Sequence, residues 1–285
     1  MRIDPDAPPP ADRPPAPEEF FDPSEFPLRL PLEERHYWHR HRRRVILDAV
    51  SGLVEPGAAL IDLGCGVGTV ALHLNRHGIH TDCADVHGEA LALARRRFAA
   101  APGLGGRPVR FFRHDLTRDE PPEGARAGYA GALLLDVLEH LPDDEAALRR
   151  ALGFLAPGAE SFLAVSVPAF AFLWSPWDVL ERHRRRYSRA ALAGALARAG
   201  FEPERLTYFF LPLFVPAALV KGLRALRDRV VGRRPPRRIT DLVETKGPRL
   251  LGALLAPALA LERRRLARGD LPFGTSLLCI ARRAG

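Results

Sequence analysis

The chain has 285 residues, 47% of them hydrophobic, three cysteines and a formal net charge of +8. That length suits one large domain with extras around a sizeable core, and so few cysteines argue against a disulfide framework and fit a reducing, cytoplasmic setting. The positive charge rests almost wholly on arginine, with lysine only at Lys221 and Lys246, so in an arginine- and alanine-rich chain it is poor evidence for a nucleic-acid partner.

Residues 1–30 are dense in proline with scattered acids and lack an apolar h-region. They do not read as a signal peptide, and they bury too little surface to offset their ordering entropy, so a disordered tail is expected. Residues 31–57 read as a helical lid. The run Glu33-Glu34-Arg35-His36-Tyr37-Trp38 leads into an amphipathic helix whose Val45, Ile46, Ala49 and Val50 share one face. A core then spans 58–205. Leu60-Ile61-Asp62-Leu63 is a short apolar run closed by an acid, and glycines alternate at Gly64, Gly66 and Gly68 before a helix start at Val70. A buried strand, a tight turn and a helix in that order make a nucleotide-binding first unit. Gly78 to Asp85 reads as a second strand ending in an acid, followed by a helix from Glu89 to Phe98. Val109 to Leu116 reads as a third strand carrying Asp115, and Ala130 to Asp136 as a buried fourth that enters a loop at Val137-Leu138-Glu139-His140. Pro157-Gly158 turns into a fifth strand over Ser161 to Val167. Ser188 caps a helix that Gly200 closes. A sixth strand is expected near Arg205 to Phe210 and a seventh at Thr275 to Ala281, with an insertion over 206–270 and the last strand and tail together over 271–285.

The glycine turn does not repeat the Gly-x-Gly-x-x-Gly of dinucleotide sites, and Asp62 would repel a pyrophosphate. The same acid suits a ligand that carries an ammonium and a sulfonium. With acids after three successive strands, the chain resembles the class I S-adenosylmethionine-dependent methyltransferases of small-molecule type, similar to methyltransferase types 11 and 12. The resemblance implies a doubly wound, Rossmann-like α/β fold. Its seven-stranded sheet is mostly parallel, with helices on both faces and an antiparallel last strand. S-adenosyl-L-methionine is the implied cofactor, with a site made of Trp38, Asp62, Gly64, Cys65, Gly66, Gly68, Asp85, Val86, Asp115, Leu116 and Asp136. Asp85, about 20 residues past the glycines, is placed to accept both ribose hydroxyls, with a helix N-cap as its alternative role. Asp115 stands where the family's acid meets the adenine amino group, or else serves as an ordinary turn residue. The Trp38 run is similar to one in many relatives and is expected to close over the cofactor.

Methyl transfer from a sulfonium needs mainly alignment, plus a base when the acceptor is a hydroxyl. His140, just past the fourth strand, is the first candidate base. His183 is the second, and Tyr187 is a candidate orienting group. The run Asp136-x-x-Glu139-His140 is similar to a Glu-x-x-Glu-His cluster associated with a divalent ion in coenzyme Q-type O-methyltransferases. Its first member differs here, and the same letters occur in relatives with no assigned ion, so no metal is expected from the sequence. Aromatic residues Phe170, Phe172, Trp174 and Trp177 fall beyond the fifth strand, where open sheets bind ligands. Leu206 to Val220 is almost wholly apolar, holds Pro212 and Pro216, and is followed by Lys221, Arg224, Arg227, Arg229, Arg233, Arg234, Arg237 and Arg238. It falls short of the roughly 20 residues that span a bilayer. A cap over the active site is expected for 206–270, with peripheral contact to the inner face of a membrane through 206–238 as the alternative. The functional expectation is methylation, at oxygen, of a small-molecule, glycan or lipid-type acceptor. A nicotinamide-dependent Rossmann oxidoreductase and a non-catalytic protein that keeps the cofactor fold are the competing readings.

Overall fold

The computed structural model describes residues 24–104, 107–118, 121–122, 124–126, 128–158, 160–219 and 247–284, with backbone alone over 247–251. Most of the proline-rich tail and the basic run from Lys221 to Arg238 lie outside the described residues.

A single seven-stranded sheet with order β3-β2-β1-β4-β5-β7-β6 carries the fold. Its strands are β1 (Ala59–Leu63), β2 (His80–Asp85), β3 (Phe111–Arg113), β4 (Gly131–Leu135), β5 (Phe162–Pro168), β6 (Phe201–Phe209) and β7 (Ser276–Arg283). The central strands β1, β4 and β5 are buried along their whole length, as continuous apolar runs covered on both faces must be. Parallel pairing sets Leu60 opposite both Thr81 and Gly131, and Leu133 opposite Ala164. The antiparallel β7 lies between β5 and β6, with Val165 opposite Cys279 and Leu206 opposite the same residue. The carboxyl ends of β1, β2, β4, β5 and β6 therefore share one edge of the sheet with the start of β7. Reversal at the β1–β4 boundary makes that edge the ligand crevice of an open α/β sheet.

Helices α1 (Glu25–Arg35) and α2 (Tyr37–Val50) precede the sheet, so residues 25–30, expected to be disordered, are helical. Val45, Ile46 and Val50 are buried against the core and Ala49 is partly so. The remaining helices of the core are α3 (Thr69–Arg76), α4 (Gly88–Ala99), α5 (Asp144–Ala151), α6 (Pro176–Leu180) and α7 (Arg189–Arg198). Ser188 Oγ accepts from the Ala191 amide at the start of α7, as a cap should.

Several boundaries move: residues 206–209 of the expected insertion belong to β6, and β7 runs on to Arg283. The third strand keeps only three residues, and the sixth begins at Phe201, not Arg205. The insertion opens with a helix over 211–219 and returns as a helix over Gly247–Leu266 that holds Pro257. That second helix rests on α2. Buried Glu262 meets buried His41 at 2.6 Å and accepts from the Phe210 amide at 2.9 Å and from that of Leu211. Arg263 also reaches Asp48 with two hydrogen bonds of 2.7 Å. No helix among the described residues is long and apolar enough to cross a membrane.

Candidate active site

The turn after β1 owes its shape to its glycines. Gly64, Gly66 and Gly68 all take positive φ, at 80°, 54° and 72°, a region that side chains with a Cβ rarely enter. At Gly64 an added Cβ would also lie 2.6 Å from Val137 Cγ2. The amides of Gly64 and Cys65 both donate to Ala84 O, at 2.8 and 3.0 Å, and so pin the turn to the end of β2. Cys65 is buried beside Cys83, and both thiols are free.

Asp85 locks the turn from the other side. Its Oδ2 accepts from the Gly66 amide at 2.8 Å, and its Oδ1 accepts from the His87 amide at 2.9 Å. His87, not Asp85, is the N-cap residue of α4. His87 Nδ1 also stands 3.2 Å from Oδ1, so of the about four lone-pair sites of a carboxylate about one, on the Oδ2 side, stays open. Asp62, at the end of β1, is buried, and burial pushes its carboxyl up to about 7, with Asp85 and Glu33 adding to the rise and Arg42 opposing it.

Asp136, directly past β4, takes φ 54°. Its amide donates to Ser166 O at 2.8 Å, its Oδ1 accepts from Ser166 Oγ at 3.0 Å, and Arg42 Nε lies 2.7 Å from its Oδ2. Arg42 comes from α2, one turn beyond Trp38, and its guanidinium stands 5.6 Å from the Trp38 ring. Trp38 itself stacks on Phe210 at 5.1 Å. The lid thus reaches the glycine edge through Arg42, with Trp38 supporting it. Glu33 also enters this region: it is bonded to Thr69, and burial raises its carboxyl despite the positive charge of Arg42, Arg97 and Arg29. The sequence placed Glu33 in the lid run but gave Arg42 no role, although Trp38 and Arg42 at i and i+4 must share a helix face.

Asp115 accepts from the Thr117 amide at 2.9 Å and from Thr117 Oγ1 at 2.6 Å through one oxygen, and Arg118 lies 3.5 Å from the other. It closes a turn as an Asx residue does. Leu116 is buried beside it, and Val86 continues from Asp85.

Beyond β4 the short helical turn Leu138–His140 brings Glu139 into the interior. Glu139 is 0% exposed, and neither of its carboxylate oxygens has a hydrogen-bond partner among the described residues. Burial first, and then Asp136, hold it well above the usual carboxylate range. His140 and His183 meet with ring centroids 4.9 Å apart. The segment bearing His183 is tied down by Arg184, whose amide donates to Glu139 O at 2.7 Å and whose Nε donates to His140 O at 3.1 Å. Asp178 anchors it further, accepting from His183 Nδ1 at 2.9 Å and from Arg186 Nε at 2.7 Å. Burial opposes ionisation of Asp178, but the bonds from His183 and Arg186 outweigh it and hold this carboxyl well below the usual range. Burial pushes His140 down to about 3, with His183 adding to the effect. It is therefore neutral at physiological pH and weaker as a base than the sequence suggests. Tyr187 needs correction. It is 3% exposed, and its hydroxyl donates to Asp144 at 2.6 Å and approaches Leu138 O at 3.3 Å. It braces the histidine-bearing turn against α5 and does not face the site.

Strand order, the glycine turn and the acids at the strand ends define a class I, Rossmann-like methyltransferase fold. A family model described as a methyltransferase domain matches residues 37–206. The chain belongs to that family, whose cofactor is S-adenosylmethionine. It is 30% identical over 129 residues to a ubiquinone biosynthesis O-methyltransferase of Sodalis glossinidius, an overlap of 45% of this chain and 49% of that one. The chain spans about half the length of the curated relatives it matches. Among solved structures it resembles the cyclase SpnF, with TM-score 0.55, 23% identity and coverage of 88% of this chain and 83% of the other. It also resembles an S-adenosylmethionine-dependent methyltransferase of Methanosarcina mazei, with TM-score 0.51, 13% identity and coverage of 83% and 97%. These two likenesses concern the fold alone. Family membership displaces the nicotinamide-dependent alternative.

Proposed function

We propose that the protein transfers the methyl group of S-adenosylmethionine to an oxygen of a small-molecule, glycan or lipid-type acceptor. The observation that carries this reading is the convergence, at the ligand edge of the sheet, of the buried carboxyls Asp62 and Asp85 with two histidines from separate segments. Asp62 pairs with the ammonium of the cofactor and Asp85 with its ribose. The glycine turn, with Cys65, lies against the cofactor's backbone side, and Val86, Asp115 and Leu116 border its adenine. Arg42 exchanges its contact with Asp136 for the cofactor carboxylate, and Trp38 closes the lid. His140 and His183 border the acceptor, whose hydroxyl is activated at this cluster. The low basicity of His140 means that it does not act alone.

The acceptor class is read from the same edge. Phe170 stacks on Tyr208 at 4.9 Å and meets Phe214 at 5.4 Å, which in turn stacks on Phe273 at 5.6 Å. Phe172 and Phe273 are about half exposed, at 56% and 51%. Such a row of rings favours an apolar or aromatic moiety. Val215 and Leu219 on the helix over 211–219 are exposed as well, and in sequence they precede the arginine run. That arrangement supports peripheral contact with an anionic bilayer, and the protein acts at the inner face of the membrane under this reading. Flotation with anionic liposomes at low salt tests it, and a protein left wholly in the soluble fraction refutes it.

Calorimetric titration with S-adenosylhomocysteine tests the cofactor assignment, with Arg42→Ala and Asp85→Ala expected to weaken binding about tenfold or more, equivalent to about 1.4 kcal/mol. Methyl transfer to hydroxylated aromatic and lipid acceptors tests the reaction. His183→Ala should lower turnover while leaving homocysteine-product binding intact, and turnover close to wild type overturns the histidine assignment.

A further inference from the structure

A polar cavity of about 290 Å³ lies between the lid and the first two helices of the core. Its walls include Glu34 of α1, Arg43 of α2, Thr69, His73 and Arg76 of α3, and Arg97 of α4. Residues 69, 73 and 76 stand at i, i+4 and i+7 and share one helix face, which carries the cavity roughly 10 Å away from the glycine turn at 1.5 Å per residue. Three guanidiniums therefore meet one carboxylate. Glu34 lies 3.2 Å from Arg97 Nη2, with its own side chain 48% exposed. Arg43 donates to the carbonyl oxygens of Glu33 and Glu34 at 3.3 and 3.5 Å, and neither Arg43 nor Arg76 is ion-paired among the described residues. Two buried nitrogens of the walls, His73 Nε2 and Arg97 Nε, have no hydrogen-bond partner among the described residues. Native structures rarely leave such atoms unpaired, and a bound ion is one of the few explanations. Burial pushes His73 down to about 4, with His77, Arg43, Arg44 and Arg76 adding to the effect, so the local field is positive. The carbonyl end of α3 at Arg76 opposes an anion, but it carries only about half an elementary charge against three guanidiniums.

We propose that Arg43, His73, Arg76 and Arg97 bind the phosphate group of a small polar ligand. The planar fork of a guanidinium matches phosphate oxygens in pairs, and a carboxylate offers fewer of them to three arginines at once. His73 adds a neutral donor when its proton is on Nε2. The volume falls just under the roughly 300–1,000 Å³ of small-molecule sites, so it takes a phosphate with a small group attached. A nucleic-acid backbone, by contrast, needs a row of such contacts. Because the three arginines come from three helices, one anion draws the lid and the core together. Arg97 also ties the cavity to the cofactor turn, since its Nη1 donates to Val67 O and, at 2.9 Å, to Thr69 Oγ1. A free phosphate ester and a phospholipid headgroup present the same chemical group, and the test separates them. The site does not rest on the acceptor or on reaction at oxygen.

The test uses the full chain at low chloride, with S-adenosylhomocysteine in excess so that Arg42 and the cofactor crevice are engaged. Calorimetric titration with inorganic phosphate and with glycerol phosphate should show one equivalent bound, the ester more tightly. Arg43→Gln and Arg76→Gln should each weaken binding about tenfold or more. Arg97 is left intact because it also holds the turn. Arg149→Gln removes the same charge from an exposed position on α5 and should leave the isotherm unchanged. Thermal unfolding and S-adenosylhomocysteine titration of the variants report folding, and both should match wild type. Co-sedimentation with phosphatidylcholine vesicles containing phosphatidic acid identifies the source. Vesicles that retain wild type and lose both variants mark a lipid headgroup, whereas retention unaltered in both variants, beside a weakened ester isotherm, marks a soluble ligand. Wild type that binds neither phosphate nor the ester, an isotherm that Arg43→Gln and Arg76→Gln leave unaltered, or equal weakening by Arg149→Gln overturns the site and leaves the methyltransferase reading standing.

Discussion

Replacing Asp62 with asparagine separates what this acid costs the empty fold from what it gives the cofactor. Asp62 is 2% exposed, and burial raises its carboxyl to about 7. In the unfolded chain it titrates near the ordinary value of about 3.9. Between those two values the native state holds a proton that the unfolded chain has lost, so stability falls as pH rises through the window and the full cost is present above about pH 7. At about 1.4 kcal/mol per pH unit, the cost is at most about 4 kcal/mol. Asparagine does not titrate. Urea unfolding of the ligand-free protein should therefore show wild type losing stability between about pH 5 and about pH 8, with the Asp62→Asn variant flatter and the more stable of the two at the upper end by roughly 1–4 kcal/mol. Cofactor reverses the ranking, because its ammonium compensates the buried charge. S-adenosylhomocysteine should bind wild type more tightly as pH rises towards about 7, while the variant binds about tenfold or more weakly, without that trend. A variant less stable than wild type at high pH without ligand, yet equal to it in affinity, would refute the reasoning.

Gly64→Ala meets both a positive φ and the side chain of Val137, so it should cost about 1–3 kcal/mol and abolish S-adenosylhomocysteine binding by calorimetry. Tyr187→Phe removes the hydroxyl bonded to Asp144 and should lower unfolding stability by about 1–3 kcal/mol with cofactor affinity unchanged; a selective loss of turnover would return Tyr187 to the catalytic set. Glu262→Ala strips the acceptor from His41, Phe210 and Leu211. It should cost about 3–5 kcal/mol, and hydrogen exchange should rise in Gly247–Leu266 ahead of the central strands.

Local pattern determined much of this protein. The alternating glycines, the acid before them and the acids after β2 and β4 are visible in the sequence because a buried parallel strand is a continuous apolar run and its end is marked by the residues that must turn there. The sixth strand was harder to place. Its first half is exposed, and its pairing with β7 is irregular between Pro203 and Arg205. An edge strand with an interior proline and little alternation carries a weak periodic signal. The tertiary structure alone decided which distant residues meet. His41 and Glu262 are 221 positions apart, and the proximity of His140 to His183 depends on a segment folded back and fixed by Asp178 and Arg184. Sequence placed His140, His183 and Tyr187 on the same side of the sheet, but only packing turned the two imidazoles towards Glu139 and the tyrosine hydroxyl towards Asp144. The physical reason is that periodicity records which face of an element is buried, whereas partner choice among buried polar groups is settled by how the elements cross.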